Sequence, residues 1–134
     1  MKRKVRQLLR ALMPYQPEQL YLFGSWARGE EDELSDMDVV VIKKTPTPFL
    51  DRLHEVAPLL PGHLGGVDIL VYTPEEFARM QREGNAFAEM ITEEAKLIYD
   101  REAQRKWLSA PSSLQTKSSQ TSGDFIRPKR KLRS

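Results

Sequence analysis

The sequence predicts an α/β (α+β) domain, a small mixed sheet flanked by helices, and three observations carry that expectation. Short apolar runs of strand length (Leu20–Phe23, Val39–Ile42, Val67–Tyr72, Lys96–Tyr99) are separated by segments with helical periodicity. The chain has 134 residues, enough for one modest core and too few for two ordinary domains. No cysteine is present, which excludes disulfides and thiolate metal sites, and no apolar run approaches the ~20 residues of a membrane span.

The order reads helix, strand, helix, strand, helix, strand, helix, helix, strand, helix. Val5, Leu8, Leu9 and Leu12 make an i, i+3, i+4, i+7 face, which predicts a first helix ending before Pro14. Leu20-Tyr21-Leu22-Phe23 reads as a buried strand, and Ser25-Trp26-Ala27-Arg28 as a helical turn leaving it. Val39-Val40-Val41-Ile42 is a second strand. Phe49, Leu53, Val56 and Leu60 predict a helix after Pro48, which suits a first helical position, with their stripe facing the core. Val67-Asp68-Ile69-Leu70-Val71-Tyr72 is a third strand. Thr73 with Glu76 gives a capping-box signature for a helix carrying Phe77 and Met80 and stopped at Gly84. Ala86, Phe87, Met90 and Ile91 predict another helix, and Lys96–Tyr99 a short strand at a sheet edge.

Residues 1–110 form the expected domain, and 111–134 a disordered basic tail, because Ser112–Ser122 offers almost no apolar anchor. The net charge of +2 hides an asymmetry. The tail holds six Lys/Arg against Asp124, which leaves 15 basic and 18 acidic residues in 1–110. An acidic body is a poor nucleic-acid groove, so any such contact is expected of the tail alone. The basic N-terminus leads into an amphipathic pattern and not a signal sequence, so the expected location is cytoplasmic, without a membrane.

One stretch carries chemistry. Gly24-Ser25 is followed, after ten residues, by Asp36-Met37-Asp38 at the mouth of the second strand. Strand side chains alternate, so Asp36 and Asp38 share a face roughly 6.5 Å apart. That spacing suits one divalent ion, or two ions about 3.5–4 Å apart. Mg²⁺ needs only one or two carboxylates when phosphates supply further oxygens. Backbone N–H groups at a strand-to-helix junction attract anions, glycine permits close approach, and Ser25 adds a hydroxyl. If the third strand lies beside the second, Asp68 joins the cluster. Three buried carboxylates would repel one another without cations, so the set predicts metal binding. Asp68 is then the candidate to accept the proton of an attacking hydroxyl.

Each piece has a plainer reading. Gly-Ser favours ordinary turns, and Glu30-Glu31-Asp32-Glu33 reads as a solvated loop. His54 and His63 lack metal-ligand neighbours and are expected to be structural or exposed. Trp26 suits the core better than the pocket rim, and Arg28 suits phosphate and solvent equally.

Taken together, Gly24-Ser25, Ala27-Arg28-Gly29, Ser35 with Asp36-x-Asp38, the later strand with Asp68, and Thr73-Pro74-Glu75-Glu76-Phe77 resemble the minimal nucleotidyltransferases of the DNA polymerase beta superfamily. The resemblance spans about Leu8 to Tyr99. It implies that fold, with Gly24, Ser25 and Arg28 on the nucleotide and Asp36, Asp38 and Asp68 as catalytic metal ligands for two Mg²⁺ ions. It implies ATP as donor and transfer of AMP to a hydroxyl. Larger superfamily members carry extra domains for the acceptor, and this chain has no residues left for one. Another polypeptide is then expected to complete the acceptor site, and the resemblance to small stand-alone members implies a tyrosine of a helical HEPN-type toxin, with the chain as antitoxin. The alternatives are a small-molecule nucleotidyltransferase of the aminoglycoside-modifying kind, with a homo-oligomer or helper completing its pocket, and a non-catalytic toxin- or nucleotide-binding module.

Overall fold

Ten residues without a helix breaker, Arg3–Leu12, form helix α1, which ends where Pro14 opens a 3-10 turn over Met13–Tyr15. The computed structural model describes residues 2–32 and 35–109. The chain continues through β1 (Gln19–Phe23), α2 (Ser25–Arg28), β2 (Met37–Ile42), α3 (Arg52–Val56), β3 (Val67–Tyr72), α4 (Pro74–Arg82), α5 (Ala86–Glu94), β4 (Lys96–Asp100) and α6 (Arg101–Leu108). The order of helices and strands is the one expected from the sequence. The tail expected over 111–134 lies outside the described residues.

The sheet order is β3-β2-β1-β4. β1 runs antiparallel to β2 and β4, whereas β3 runs parallel to β2, so the sheet is mixed and β3 and β4 are its edges. The connection from β2 to β3 must cross over to restore direction, and α3 lies on that path.

β2 is central and buried on both faces, which is why Val39–Ile42 shows no polar alternation. Val39 and Val41 join Val5, Leu8 and Leu12 of α1, Leu20, Leu22, Trp26, Val56 and Val71 on one face. Val40 and Ile42 join Phe77 of α4 and Ala88 and Ile91 of α5 on the other. The capping box of α4 forms as expected, with Glu76 N–H donating to Thr73 Oγ1 at 3.1 Å and Thr73 N–H to Glu76 Oε1 at 2.9 Å.

The stretch after Pro48 departs from expectation. In place of one helix with a buried stripe, 3-10 turns over Phe49–Asp51 and Ala57–Leu59 flank a five-residue α3. Pro58 lacks the N–H that would continue the ladder. Only Val56 of the stripe is fully buried, while Phe49, Leu50 and Leu53 are 39%, 83% and 49% exposed. Phe49 instead stacks on Tyr72, with ring centroids 5.3 Å apart.

Candidate active site

Asp38 shares the alternation of Val40 and Ile42, so its side chain projects from the α4–α5 face at the open end of β2. Across the parallel ladder its register partner is Asp68, and across the antiparallel ladder it is Phe23, the last residue of β1. Two carboxylates thus stand on neighbouring strands at one level. The next residue of β1 is Gly24, at φ +74° and ψ −150°, a conformation that side chains rarely adopt. A β-carbon there would collide with Asp38 Oδ2 and lie 3.4 Å from its Cγ. The Gly-Ser corner therefore presses bare backbone against the Asp38 carboxylate.

α2 leaves that corner as a single helical turn. The Ala27 and Arg28 N–H groups donate back to the Gly24 carbonyl at 3.0 and 3.2 Å. Ser25 is half-buried at the start of the turn. Trp26 turns into the core, 8% exposed, and donates its indole N–H to the Ser35 carbonyl at 3.3 Å. This bond ties the corner to the residue preceding Asp36. Arg28 is exposed, and its Nε donates to Glu30 Oε1 at 2.9 Å.

The Asp36 carboxyl lies over Gly66, the residue before β3, whose carbonyl accepts from Met37 N–H at 3.0 Å. Asp38 has its pKa raised above the usual aspartate value, first by burial, then by the charges of Asp68 and Asp36 and a hydrogen bond with Asp68. All three expected carboxylates are therefore within electrostatic reach of one another. One expectation needs correcting. They are not a buried triad, because Asp36 and Asp68 are exposed and only Asp38 is half-buried. Asp36 stands one residue before β2, and Asp68 is the second residue of β3.

Among the described residues, no three acidic or imidazole side chains are gathered closely enough to enclose an ion. The donors nevertheless fit Mg²⁺: facing hard-oxygen ligands whose mutual repulsion calls for a cation, next to a corner that leaves room for phosphate oxygens. His54 and His63 are exposed, as expected. In the acidic loop Glu30 and Asp32 are exposed, but Glu31 folds inward, its side chain 6% exposed and paired with Lys2. Sequence reasoning missed Gly66. Its only signal was the Gly65-Gly66 doublet ahead of the third strand.

The family model described as polymerase beta, nucleotidyltransferase, matches residues 6–104, from α1 through α6. The chain belongs to the polymerase-beta nucleotidyltransferase family. Among solved structures, a toxin–antitoxin crystallised with AMP-PNP is 17% identical, with a TM-score of 0.53 over 74% of each chain. At that identity the likeness concerns the fold. A Sulfolobus solfataricus protein described as a nucleotidyltransferase is 23% identical over 76% of this chain and 91% of its own, with a TM-score of 0.46. Among curated proteins, none matches this chain. In this polymerase-beta nucleotidyltransferase, no described helix is long and apolar enough to cross a membrane.

Proposed function

We propose that this nucleotidyltransferase moves AMP from ATP to the hydroxyl of a separate protein, a tyrosine of a helical HEPN-type toxin, and so acts as an antitoxin. The observation that carries the chemistry is Asp38 facing Asp68 across β2 and β3, with Gly24 packed on Asp38. The fold likeness to a toxin–antitoxin crystallised with AMP-PNP supports the choice of donor and partner class.

In this reading Gly24 and Ser25 hold the β- and γ-phosphates, with the corner's backbone N–H groups and the Ser25 hydroxyl as donors. Arg28 steadies the triphosphate after exchanging its contact with Glu30. Asp36 and Asp38 would hold Mg²⁺, and Asp68 completes the set. The bound ions would neutralise phosphate charge and lower the pKa of the acceptor hydroxyl. The acceptor oxygen forms a bond to the α-phosphorus, its proton passes to Asp68, and the bond from the α-phosphorus to the bridging oxygen breaks. Pyrophosphate leaves, held at the Gly24–Ser25 corner.

The test is incubation with α-labelled ATP, Mg²⁺ and the protein encoded beside this chain. Label and a mass gain of one adenylyl group on a tyrosine of that protein are expected, both lost with Asp36→Asn. Label that persists in Asp36→Asn would sink the assignment. If Asp36→Asn abolished labelling yet still neutralised the partner fully, neutralisation would be by binding alone.

A further inference from the structure

A β-carbon on Gly66 would overlap Asp36 Oδ1 and come within 2.6 Å of Cγ and 3.1 Å of Oδ2. The Asp36 carboxyl therefore rests on the bare backbone of Gly66. One feature, its backbone conformation, separates this glycine from Gly24. Positive φ is confined to Gly24, Gly29, Gly65 and Gly84 among the described glycines, so the Gly66 backbone would accept alanine. The atoms in its way also belong to the end of one rotatable side chain, and not to backbone or core. Alanine at 66 should thus leave the fold intact and force one specific change, displacement of the Asp36 carboxyl.

Asp36 needs such a seat because it stands outside the packed layers. It is exposed and precedes the first residue of β2, where nothing in the core limits its rotamers. The strand pairing fixes where the seat stands. Met37 pairs with Val67, so residue 36 and residue 66 run side by side one step before the ladder. The Met37 N–H to Gly66 carbonyl bond closes that step.

We propose that Gly66 is a positioning residue for metal binding: it seats the Asp36 carboxyl beside β3, so that Asp36 and Asp38 together take a divalent cation. The proposal rests on the metal reading given above, and its test separates the two. The probe is Mn²⁺, titrated by electron paramagnetic resonance into the full chain with a non-hydrolysable ATP analogue present. The variants are Gly66→Ala, Asp36→Ala, the double substitution, and Gly62→Ala as control, since a β-carbon at Gly62 meets nothing within 4 Å.

Gly66→Ala should bind Mn²⁺ about tenfold or more weakly, the usual range for losing an outer contact that orients a ligand. Its melting temperature should stay within about 2 °C of the parent. In the Asp36→Ala background, Gly66→Ala should change Mn²⁺ binding no further, because its effect passes through Asp36 alone. Gly62→Ala should match the parent. Unchanged or tighter binding in Gly66→Ala would overturn the proposal, as would an undiminished loss in the Asp36→Ala background. Unfolding of Gly66→Ala that Asp36→Ala fails to relieve would make the residue a packing position and refute it too. A parent protein that bound no Mn²⁺ would instead bring down the metal reading beneath it.

Discussion

Asp38 sits where the fold and the chemistry make opposite demands. Burial and two acidic neighbours raise its pKa, so the folded state binds this proton more tightly than the unfolded state. Its contribution to stability therefore grows as pH falls through the raised value and declines as pH rises above the ordinary aspartate range. Asp38→Asn removes the repulsion while keeping the shape. It should raise the melting temperature by about 2–5 °C at pH 7 in chelator, read by scanning calorimetry. If the proposed reaction is right, the same variant should lose about 100-fold or more of AMP transfer. Tyr15 shows the same direction of dependence, displaced to high pH. Burial, then the 3.0 Å hydrogen bond it donates to Glu55 Oε1, pushes its pKa up to about 12. The stabilisation is complete below the ordinary tyrosine value near 10 and is lost as pH rises through about 12. Urea titrations from pH 9 to 12 should show that loss, and Tyr15→Phe should flatten it.

At the scale of elements, Arg52 is the joint between α3, β3 and α4. Its side chain is 5% exposed, and Nη1 and Nη2 grip Glu76 at 2.7 and 3.0 Å. Nε reaches the Thr47 carbonyl at 2.8 Å and Nη1 the Val71 carbonyl at 3.0 Å. Arg52→Ala removes these four hydrogen bonds, leaving Glu76 only the Thr73 N–H, and should cost about 3–5 kcal/mol in denaturant unfolding. Hydrogen bonding from Arg52 is also the first cause of the lowered Glu76 pKa. That stabilisation is present above the ordinary glutamate range and lost as pH falls through the lowered value. The Thr73–Glu76 cap was legible because its signature is local. Arg52 was not, because its partners at Val71 and Glu76 are 19 and 24 residues away and meet it only through the crossover. The periodicity of Phe49, Leu53, Val56 and Leu60 misled for a related reason. A period of 3.6 reports which residues share a helix face, but Pro58 divides the stretch, Leu53 stays exposed, and Phe49 is only partly covered, by Tyr72. Leu50→Glu, at a position 83% exposed, should accordingly shift stability by no more than about 0.5 kcal/mol in the same unfolding assay.

Over the whole molecule, the element order was readable because strand runs and helical stripes alternate with clear breaks at Pro14, Pro48 and Gly84. The convergence of Asp36, Asp38 and Asp68 could be expected, yet it required the parallel β2–β3 pairing that sequence alone does not specify. Gly66 follows from that register and was beyond reach before it. If the proposed site is right, ATP with Mg²⁺ should stabilise the chain by about 2.7 kcal/mol at a hundred times the dissociation constant, and chelator should abolish the gain. Thermal shift with Asp36→Asn as control measures this.

The position of β3 has a kinetic corollary. Asp38 belongs to a strand laddered on both sides, whereas Asp68 belongs to an edge strand laddered on β2 alone. Marginal strands open first, so amide deuterium uptake should run faster along Val67–Tyr72 than along Met37–Ile42. Each such fraying event would carry one carboxylate away from its mate, making the constellation intermittent until a cation bridges the seam. Slowed exchange confined to Val67–Tyr72 on adding nucleotide and metal would then be the signature of assembly.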